Sequence, residues 1–457
     1  MKRYLLLAVC LATISLGACS QESKFPEATG QASVRAINAI PTSPSFVFLI
    51  EERVIGNVEY KTASPPARYD DLDYTFNFDV LIPGRDPPGP TRVASQDLDV
   101  ERDKDYTFII SGTTPAPVIT IWEGDEREWA GTETVVEARF GHTAASLGEI
   151  DVYFLDPVFP ATQGSELGTI AFGEIIPAID LEAGDYVLTI TPAGDDTNPL
   201  FQSDPVTLIA QAQLLISVFD GGANDLSRLA ARAFNLTSGG AGALVDSSAV
   251  PTIRFYHASM DAGAVDIYAD DPLTEPLVGN HAFRDFTGDV VVPAGTVPIT
   301  YTTGGTMGTV LIDLDWTVST IARIHLYFIE ISDGESVVIS HFPDRRSVET
   351  LVKASIVNTA AIGEPVDIYT VPSGSSIDPD PPAVVLPRFI GVPVGVDPID
   401  FILGAGNFDI WVTRRGDKTE PLAGPVPLDV ALGDVVELII YETADPNFVD
   451  VVSIPAP

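Results

Sequence analysis

The chain repeats itself four times, and this repetition constrains the fold more than any other feature of the sequence. Four stretches share a similar start, at Arg35, Arg139, Arg254 and Ser355, so successive copies begin 104, 115 and 101 residues apart. The second copy reads RFGHTAASLGEIDVYF and the third RFYHASMDAGAVDIYA, whereas the first, RAINAIPTSPSFVFL, diverges most. A period of this length indicates a tandem array of similar domains, each with its own core.

Within each copy, short apolar runs alternate with turn residues. Runs rich in β-branched and aromatic residues are bounded by Gly, Pro, Asp and Asn, a pattern typical of strands joined by turns. The 37 prolines are spread along the chain and argue against long helices. The sequence therefore predicts an all-β chain of four tandem antiparallel β-sandwich domains, immunoglobulin-like or transthyretin-like, at residues 32–134, 135–249, 250–350 and 351–457.

Two kinds of glycine-containing segment refine this prediction. Three copies carry a glycine in a turn just before a later strand, at Gly184, Gly295 and Gly406. The segment TSGGAGALVDSSA, residues 237–249, has the composition of a flexible joint between the second and third domains. No comparable stretch separates the third and fourth domains, so we expect those two to pack more rigidly.

The first 19 residues have the composition of an export signal. Lys2 and Arg3 precede an apolar run that is too short to span a bilayer. The sequence LGAC at residues 16–19 resembles the bacterial lipobox, which implies cleavage of a signal peptide, residues 1–18, between Ala18 and Cys19, and lipidation of Cys19. The alternative is an ordinary secretory signal in which this cysteine is incidental.

The same resemblance implies an address. Because residue 20 is serine rather than aspartate, it implies the outer membrane, on either its periplasmic or its cell-surface face. Residues 19–31 would then be the lipidated cysteine and a short polar tether. The mature chain would retain no free thiol and no disulfide, so its stability would come from apolar cores.

The charge of the chain excludes one class of partner. Acidic residues number 64 against 25 basic ones, a net charge of −39 that becomes −41 once Lys2 and Arg3 are removed. Such a surface repels phosphate backbones, so no nucleic-acid partner is expected. Pairs such as Asp195–Asp196, Asp270–Asp271 and Asp378 with Asp380 could bind calcium weakly, but solvated turn residues are the favoured explanation.

The opening pattern of the copies resembles the repeat of a bacterial family of unknown function. Members of that family typically read V-R-x-x-H-A-S-P-x-A-P-x-V-D-V-Y and occur in tandem on exported, often lipid-anchored or wall-anchored proteins. The third copy here is the most similar, and the first is the least. The resemblance implies extracellular β-sandwich modules along nearly the whole mature chain, and it assigns no catalytic residue.

A histidine nine residues before an aspartate suggests chemistry, but the copies point to structure. Strand alternation places His142 and His257 at the end of an inward-facing apolar row, where the other two copies have Asn38 and Asn358. Asparagine does not titrate near neutral pH and seldom binds transition metals. We therefore interpret these side chains as partners for backbone groups where a strand enters a turn.

The aspartates of the motif are predicted to face outward. Asp151, Asp266 and Asp367 lie between inward-facing apolar residues, and Arg139 and Arg254 occupy the outer face of the preceding strand. An arginine and an aspartate could therefore pair across that face as an optional surface ion pair worth less than about 1 kcal/mol.

Two features of the fourth copy suggest recognition. The ring of Trp411 should point outward, where it could stack on a sugar or form a contact hot spot, or be covered by a neighbouring loop or domain. The tripeptide at residues 415–417, RGD, resembles the integrin-binding sequence but also suits a plain hairpin tip.

No recognised catalytic or metal-binding motif is present in the sequence. The remaining histidines, His281, His325 and His341, share no metal-ligand spacing with one another, and no nucleophile elbow, zinc helix, P-loop or dinucleotide fingerprint occurs. The sequence therefore predicts no catalytic residues, no metal and no cofactor.

Two hypotheses for the function remain. The first is a non-enzymatic, lipid-anchored protein whose repeats bind a polysaccharide or another envelope protein. The second is a glycan-active or hydrolytic envelope enzyme that uses loop carboxylates, which would have to lie within about 10 Å of each other.

Overall fold

The computed structural model describes residues 27–82, 89–269, 275–305, 308–331, 335–378 and 385–455. The signal peptide, Cys19 and most of the predicted tether lie outside the described residues. Within the described ranges the protein is all-β, and none of them contains a helix long and apolar enough to cross a membrane. The chain is therefore built from strands and turns, as its alternating apolar runs predict.

The strands fall into four groups, which we call units 1 to 4. Unit 1 contains β1 (Gln31–Asn38), β2 (Phe46–Ile50), β3 (Arg53–Val58), β4 (Ala67–Asp70), β5 (Asp73–Leu81), β6 (Pro90–Asp99), β7 (Lys104–Thr113) and β8 (Ala116–Asp125). Unit 2 contains β9 (Val135–His142), β10 (Ile150–Leu155), β11 (Gly168–Ile170), β12 (Ile175–Glu182), β13 (Gly184–Pro192), β14 (Phe201–Gln202), β15 (Val206–Leu208), β16 (Gln213–Asp220), β17 (Leu229–Asn235) and β18 (Ala241–Leu244).

Units 3 and 4 have eight strands each. Unit 3 contains β19 (Thr252–His257), β20 (Val265–Tyr268), β21 (Val278–His281), β22 (Val290–Val291), β23 (Gly295–Thr303), β24 (Val310–Val318), β25 (Arg323–Ile331) and β26 (Glu335–His341). Unit 4 contains β27 (Val352–Asn358), β28 (Val366–Pro372), β29 (Phe389–Val392), β30 (Ile399–Leu403), β31 (Gly406–Arg414), β32 (Ala423–Val430), β33 (Val435–Glu442) and β34 (Val449–Pro455).

Each unit is a sandwich of two sheets with the same strand order. In unit 1 the sheets run β4-β1-β7-β8 and β3-β2-β5-β6, and units 3 and 4 repeat this order strand for strand. Unit 2 follows it too, with β18 added to the edge of the first sheet. In an immunoglobulin constant domain the sheets are ABED and CFG, so the observed order favours the transthyretin-like alternative.

One strand pair in each unit departs from the antiparallel prediction. In each unit, the first strand pairs in parallel with a strand near the end of the same unit: β1 with β7, β9 with β16, β19 with β25, and β27 with β33. The other strand pairs are antiparallel, as is typical of sheets joined by hairpins. We call the sheet that contains this parallel pair the A-sheet of its unit.

A separate apolar core lies between the two sheets of each unit. In unit 1 the core is aromatic, with the rings of Phe76 and Phe108 4.5 Å apart, and in unit 3 Tyr301 stacks on Phe328 at 4.8 Å. Full burial of such a side chain stabilises a fold by about 1.5–3 kcal/mol. The inward-facing rows predicted from strand alternation form these cores.

The A-sheets also pack back to back, which the sequence analysis did not predict. Between units 1 and 2 a second buried cluster joins Ile37 and Trp122 to Leu215 and Phe219. Between units 3 and 4 a matching cluster contains the following residues: Tyr256, Tyr327, Ile329, Val357, Ile439 and Tyr441. The outer face of each A-sheet is therefore an interface between units.

The segment predicted as a flexible joint is part of unit 2. Within residues 237–249, β18 pairs with β17 and the Asp204 N–H donates to the Val245 carbonyl over 2.8 Å. The prediction of a free linker was wrong because a Gly- and Ala-rich segment can also form an edge strand when a neighbouring strand offers unpaired backbone groups.

Residues between units 3 and 4 also touch unit 1. Arg346 donates to the backbone carbonyls of Pro41 and Ser43 at 3.1 and 2.6 Å, and the Glu349 N–H donates to the Thr42 carbonyl over 2.8 Å. These contacts between distant segments tie the two pairs of units together.

Candidate functional site

The polar residues that end the first strand of each unit are buried. His142, His257 and Asn358 are at most 1% exposed. The His142 Nε2–H donates to the Gly148 carbonyl over 2.9 Å, and the Nδ1 atom accepts the Ala144 N–H over 3.3 Å. This bonding fixes the neutral tautomer, because one ring nitrogen donates while the other accepts.

Asparagine accepts the equivalent N–H in unit 4 but donates to a different carbonyl. The Asn358 Nδ2 atom donates to the Val392 carbonyl over 3.1 Å, and its Oδ1 atom accepts the Ala360 N–H over 3.2 Å. His257 repeats the arrangement in unit 3, where burial lowers the pKa of the ring to about 4. Neutral histidine and asparagine can occupy the same position because each offers one donor and one acceptor, although their donors reach different carbonyls.

The motif aspartates each join two turns of their own unit. Asp367 accepts the N–H groups of Gly391 at 2.7 Å and Gly416 at 2.8 Å. Asp266 binds two backbone N–H groups at the equivalent places, and Asp151 binds one N–H and one hydroxyl. All three are 6% exposed or less. Carboxylates bonded in this way hold turns in place.

The predicted pairing of motif arginines with motif aspartates is wrong. Arg139 lies 3.0 Å from Glu137 and donates to the Asp125 carbonyl of unit 1 over 2.8 Å, and Arg254 lies 3.2 Å from Asp289. The guanidinium groups are buried because neighbouring segments cover the outer face of the A-sheets. The arginines therefore belong to contacts between segments.

The Asp289 carboxylate forms ion pairs with three arginines where unit 3 meets the segment that follows it. Its carboxylate lies 3.0 Å from Arg345, 3.2 Å from Arg254 and 3.4 Å from Arg323. Burial acts to raise the pKa of Asp289, but the hydrogen bond and charge of Arg345, with the charges of the other two arginines, lower it overall. This carboxylate therefore stays ionised and neutralises part of a basic cluster.

The three motif glycines begin the strands they were predicted to precede. Gly184, Gly295 and Gly406 are the first residues of β13, β23 and β31. Gly295 has a φ of +106° and Gly406 a φ of +151°, in the region that only glycine enters without strain. These two residues therefore fix the tight entry into their strands.

Trp411 points outward from β31 but is only partly open to solvent. It packs against Tyr369, Ile377 and Val385 of its own unit, and a Cβ atom added to Gly424 would lie 2.6 Å from the indole. With a loop over one face and backbone close to the ring, this position favours the covered alternative over sugar stacking.

The RGD tripeptide forms the turn between β31 and β32. Gly416 has a φ of +77° and donates to Asp367, while Asp417 accepts the Thr419 N–H over 2.9 Å. These bonds are those of a plain hairpin tip.

The acidic pair Asp195–Asp196 lies within the described residues and forms hydrogen bonds with nearby turns. Asp195 accepts the Thr197 N–H over 3.0 Å and Asp196 accepts the Gln163 N–H over 2.8 Å. Residues 270–271 and 380 of the other two pairs lie outside the described residues. The described pair therefore has the bonding of turn residues.

A buried polar cluster lies where the A-sheets of units 3 and 4 meet. We call Tyr256, His325, His341 and Glu437 the interunit cluster; all four are at most 7% exposed. The Tyr256 hydroxyl donates to the Glu437 Oε2 atom over 2.7 Å, and His325 Nδ1 lies 3.3 Å from the same oxygen. His341 Nε2 lies 3.1 Å from Asp400 Oδ1.

Burial shifts the titration of this cluster. It lowers the pKa of His325, against the raising effect of Glu437, and it raises the pKa of Tyr256 together with the nearby Glu437 charge. A neutral imidazole, a phenol and a carboxylate thus lie together in a site of low polarity. Two imidazoles and a carboxylate form a ligand set that transition metals use in proteins.

The sequence contains one signal that would have found the two histidines. His325 and His341 are directly paired across the hairpin β25–β26, and they are equidistant in sequence from Asp333, which a glycine follows. The three residues Ser-Asp-Gly between two apolar runs predict a hairpin with a three-residue connection ending in glycine, which would place these two histidines opposite each other. Glu437 comes from another unit, so no local pattern could have placed it beside them.

The comparisons with known proteins supply little about function. No curated protein matches the chain at a significant level. Among solved structures, the Bacillus anthracis TIE protein is similar with 7% sequence identity, over 87% of this chain and 68% of that chain, at a TM-score of 0.14. A family described as a domain of unknown function (DUF4397) matches residues 32–153, which span β1 to β9 and the start of β10. The match covers the first copy, which is the most divergent, and the start of the second.

Proposed function

We propose that the protein is a non-catalytic, lipid-anchored protein of the bacterial cell envelope whose β-sandwich units scaffold or bind another envelope component. The observation that carries this proposal is the use of the motif side chains. Residues such as His257 and Asp367 bind backbone groups of their own unit, and arginines such as Arg139 lie between units. The repeated motif thus builds a scaffold, and the variable loops are left for recognition.

The proposal takes residues 32–134, 135–249, 250–350 and 351–457 as the structural units of the scaffold. Each range encloses one core, and the back-to-back A-sheets join these units in pairs. Such buried apolar interfaces restrict movement between neighbouring units.

The proposed anchor is Cys19, after removal of residues 1–18 as a signal peptide. A diacylglycerol on its sulfur supplies two acyl chains, which is what stable membrane attachment requires. The 12 residues at 19–30 would reach at most about 40 Å before β1 begins. The proposed location is the outer membrane, on its periplasmic or cell-surface face.

The proposed partner is an envelope protein or a polysaccharide. A mature net charge of −41 disfavours phosphate-rich partners. Adjacent apolar side chains on the loop after β10, Val158 and Phe159, are 76% and 65% exposed and are suited to contact with a protein surface.

The anchor is tested by comparing the full-length protein with Cys19→Ser in the cell. We expect the wild type to incorporate labelled fatty acid and to enter the detergent-rich phase after phase separation, whereas Cys19→Ser should do neither. Equal partitioning of both proteins would contradict the anchor.

Binding is tested with the detergent-solubilised full-length protein on purified peptidoglycan, a glycan array and a fractionated set of outer-membrane proteins, with and without calcium. We expect saturable binding to one of these, weakened in a Val158→Ser, Phe159→Ser variant if that loop makes the contact. If the wild-type protein binds none of these at micromolar concentration, the binding role is contradicted.

A further inference from the structure

We propose that His325, His341 and Glu437 form a site for a divalent transition-metal ion, with zinc as the best fit, that clamps unit 3 to unit 4. Each of these residues offers a ligand atom, and the three atoms lie within 4.8 Å of one another. Nitrogen from two imidazoles and oxygen from a carboxylate are ligands that zinc accepts together.

The strongest sign of a missing partner is on the ring of His341. Its Nδ1 atom is buried and has no hydrogen-bond partner among the described residues. A buried polar atom left unbonded costs about 1–3 kcal/mol. In the motif histidine His142, by contrast, both ring nitrogens are hydrogen-bonded.

Each ring has one nitrogen beside a carboxylate. His325 Nδ1 lies 3.3 Å from Glu437, and His341 Nε2 lies 3.1 Å from Asp400. An ion held by Glu437 would therefore bind His325 through Nδ1 and His341 through its unbonded Nδ1. Metal-bound histidines commonly have a carboxylate on the second nitrogen, which orients the ring, and Asp400 takes that place on His341.

The geometry needs only a small contraction. Zinc bonds of about 2.0–2.2 Å in a tetrahedron place ligand atoms roughly 3.3 Å apart, so atoms now up to 4.8 Å apart would approach by about 1.5 Å. Tyr256 holds the Glu437 carboxylate through a 2.7 Å hydrogen bond and would remain as an outer partner. A fourth ligand is available from water.

An entry path for the ion lies beside the cluster. A cavity of about 290 Å³ is lined by His341, Lys353, Ser355 and Asp400, among other residues. The Asp400 side chain is 64% exposed, so the path begins at the surface. The strongly acidic chain favours the approach of a cation.

The fold itself does not require these ligands. His325 pairs with Arg254 of its own A-sheet, and Glu437 pairs with Ser355 of unit 4. The equivalent positions in the interface of units 1 and 2 are Thr107 and Leu215. The same back-to-back packing therefore forms there without a ligating side chain at these two positions, and the interunit cluster is an addition to it.

The test is metal binding by the intact purified protein after chelator treatment. We expect it to bind one Zn²⁺ per chain in a calorimetric titration, and Co²⁺ to give the visible absorption bands of a tetrahedral site. The variants His341→Gln and Glu437→Gln, which keep nearly the same volume, should weaken binding at least about tenfold. The matched control is His281→Gln, another buried histidine of unit 3, which should bind metal like the wild type.

A second measurement separates a metal site from a hydrogen-bonded cluster. Zn²⁺ should slow hydrogen exchange in β26 and β33 but not in β7 and β16, which form the interface of units 1 and 2. Absence of stoichiometric binding by the wild type, or equal binding by wild type, His341→Gln and Glu437→Gln, would overturn the proposal. If Glu437→Gln does not fold, the wild-type titration and His341→Gln still decide.

Discussion

Replacing His257 with asparagine tests whether the histidine of the motif is a structural residue. In unit 3 the ring Nε2–H donates to the Gly263 carbonyl over 2.5 Å, and Nδ1 accepts the Ser259 N–H over 3.3 Å. Asn358 accepts the equivalent N–H, from Ala360, but donates instead to the Val392 carbonyl at the end of β29. We expect His257→Asn to retain the bond from Ser259 and to donate to the carbonyl of His281, the residue at the position equivalent to Val392, while water solvates the exposed Gly263. The cost should be no more than about 1.5 kcal/mol at pH 7.5, that of a slightly smaller side chain.

The same substitution should remove a pH dependence. Burial lowers the pKa of His257 from 6.5 to about 4 in the folded protein, so between these values the unfolded ring binds a proton and the folded one does not. Wild-type stability is therefore complete above pH 6.5 and declines as the pH falls, with a loss of about 3 kcal/mol from this group by pH 4. His257→Asn should lose that part of the decline.

The matched variant is His257→Ala. It leaves the buried Ser259 N–H without a partner, at about 1–3 kcal/mol, and it opens a cavity. We expect a loss of about 3–5 kcal/mol at pH 7.5.

Native-state hydrogen exchange with mass spectrometry is the suitable assay because it reports unit 3 alone. Protection of peptides from β19 and β25, corrected for intrinsic exchange, would be compared at pH 7.5 and pH 4.5. The structural interpretation is refuted if His257→Asn is as damaging as His257→Ala at pH 7.5, or if it declines toward pH 4.5 as steeply as the wild type.

Three further predictions concern other parts of the chain. Asp367→Ala should destabilise unit 4 by about 2–4 kcal/mol, since two turn N–H groups lose their acceptor; urea unfolding measures this, and a loss under 1 kcal/mol would contradict it. Phe219→Ala, which empties the centre of the interface of units 1 and 2, should cost about 3–5 kcal/mol and enlarge the particle in small-angle scattering, whereas an unchanged radius would show that the interface does not depend on this ring. Trp411→Ala should lower the unfolding midpoint of unit 4 without weakening binding of any ligand found for the wild type; selective loss of binding would restore the role in sugar stacking.

The alternation of residues along each strand was enough to predict the cores. Phe255 and Ile253 face inward with His257 as their period-two pattern predicts, and the four copies place such rows at the same point of each unit. Comparison of the copies also separated the two polar residues of the motif, because a residue that alternates between His and Asn is not selected for its charge.

The outer faces of the A-sheets were wrongly predicted to carry surface ion pairs, because a strand with apolar residues on both faces does not show what covers its second face. Ile37 and Ile439 lie opposite the core-facing rows and are buried by another unit. Tyr256, between Phe255 and His257, is another large apolar side chain on such an outer face. Apolar residues on both faces indicate a strand covered on both sides, but they do not say what covers it. For that reason the buried arginines and the interunit cluster became visible only with the second unit in place.

The parallel pairing of β1 with β7 has a mechanical consequence. β1 lies inside its sheet, with β4 on one side and β7 on the other, and the proposed tether leaves from its first residue. A pull on the anchor would act along β1, perpendicular to the hydrogen bonds that hold it on both sides. Those bonds would be loaded together in shear instead of being opened one after another, so an envelope protein anchored in this way would resist extraction by force at the very strand where the force enters.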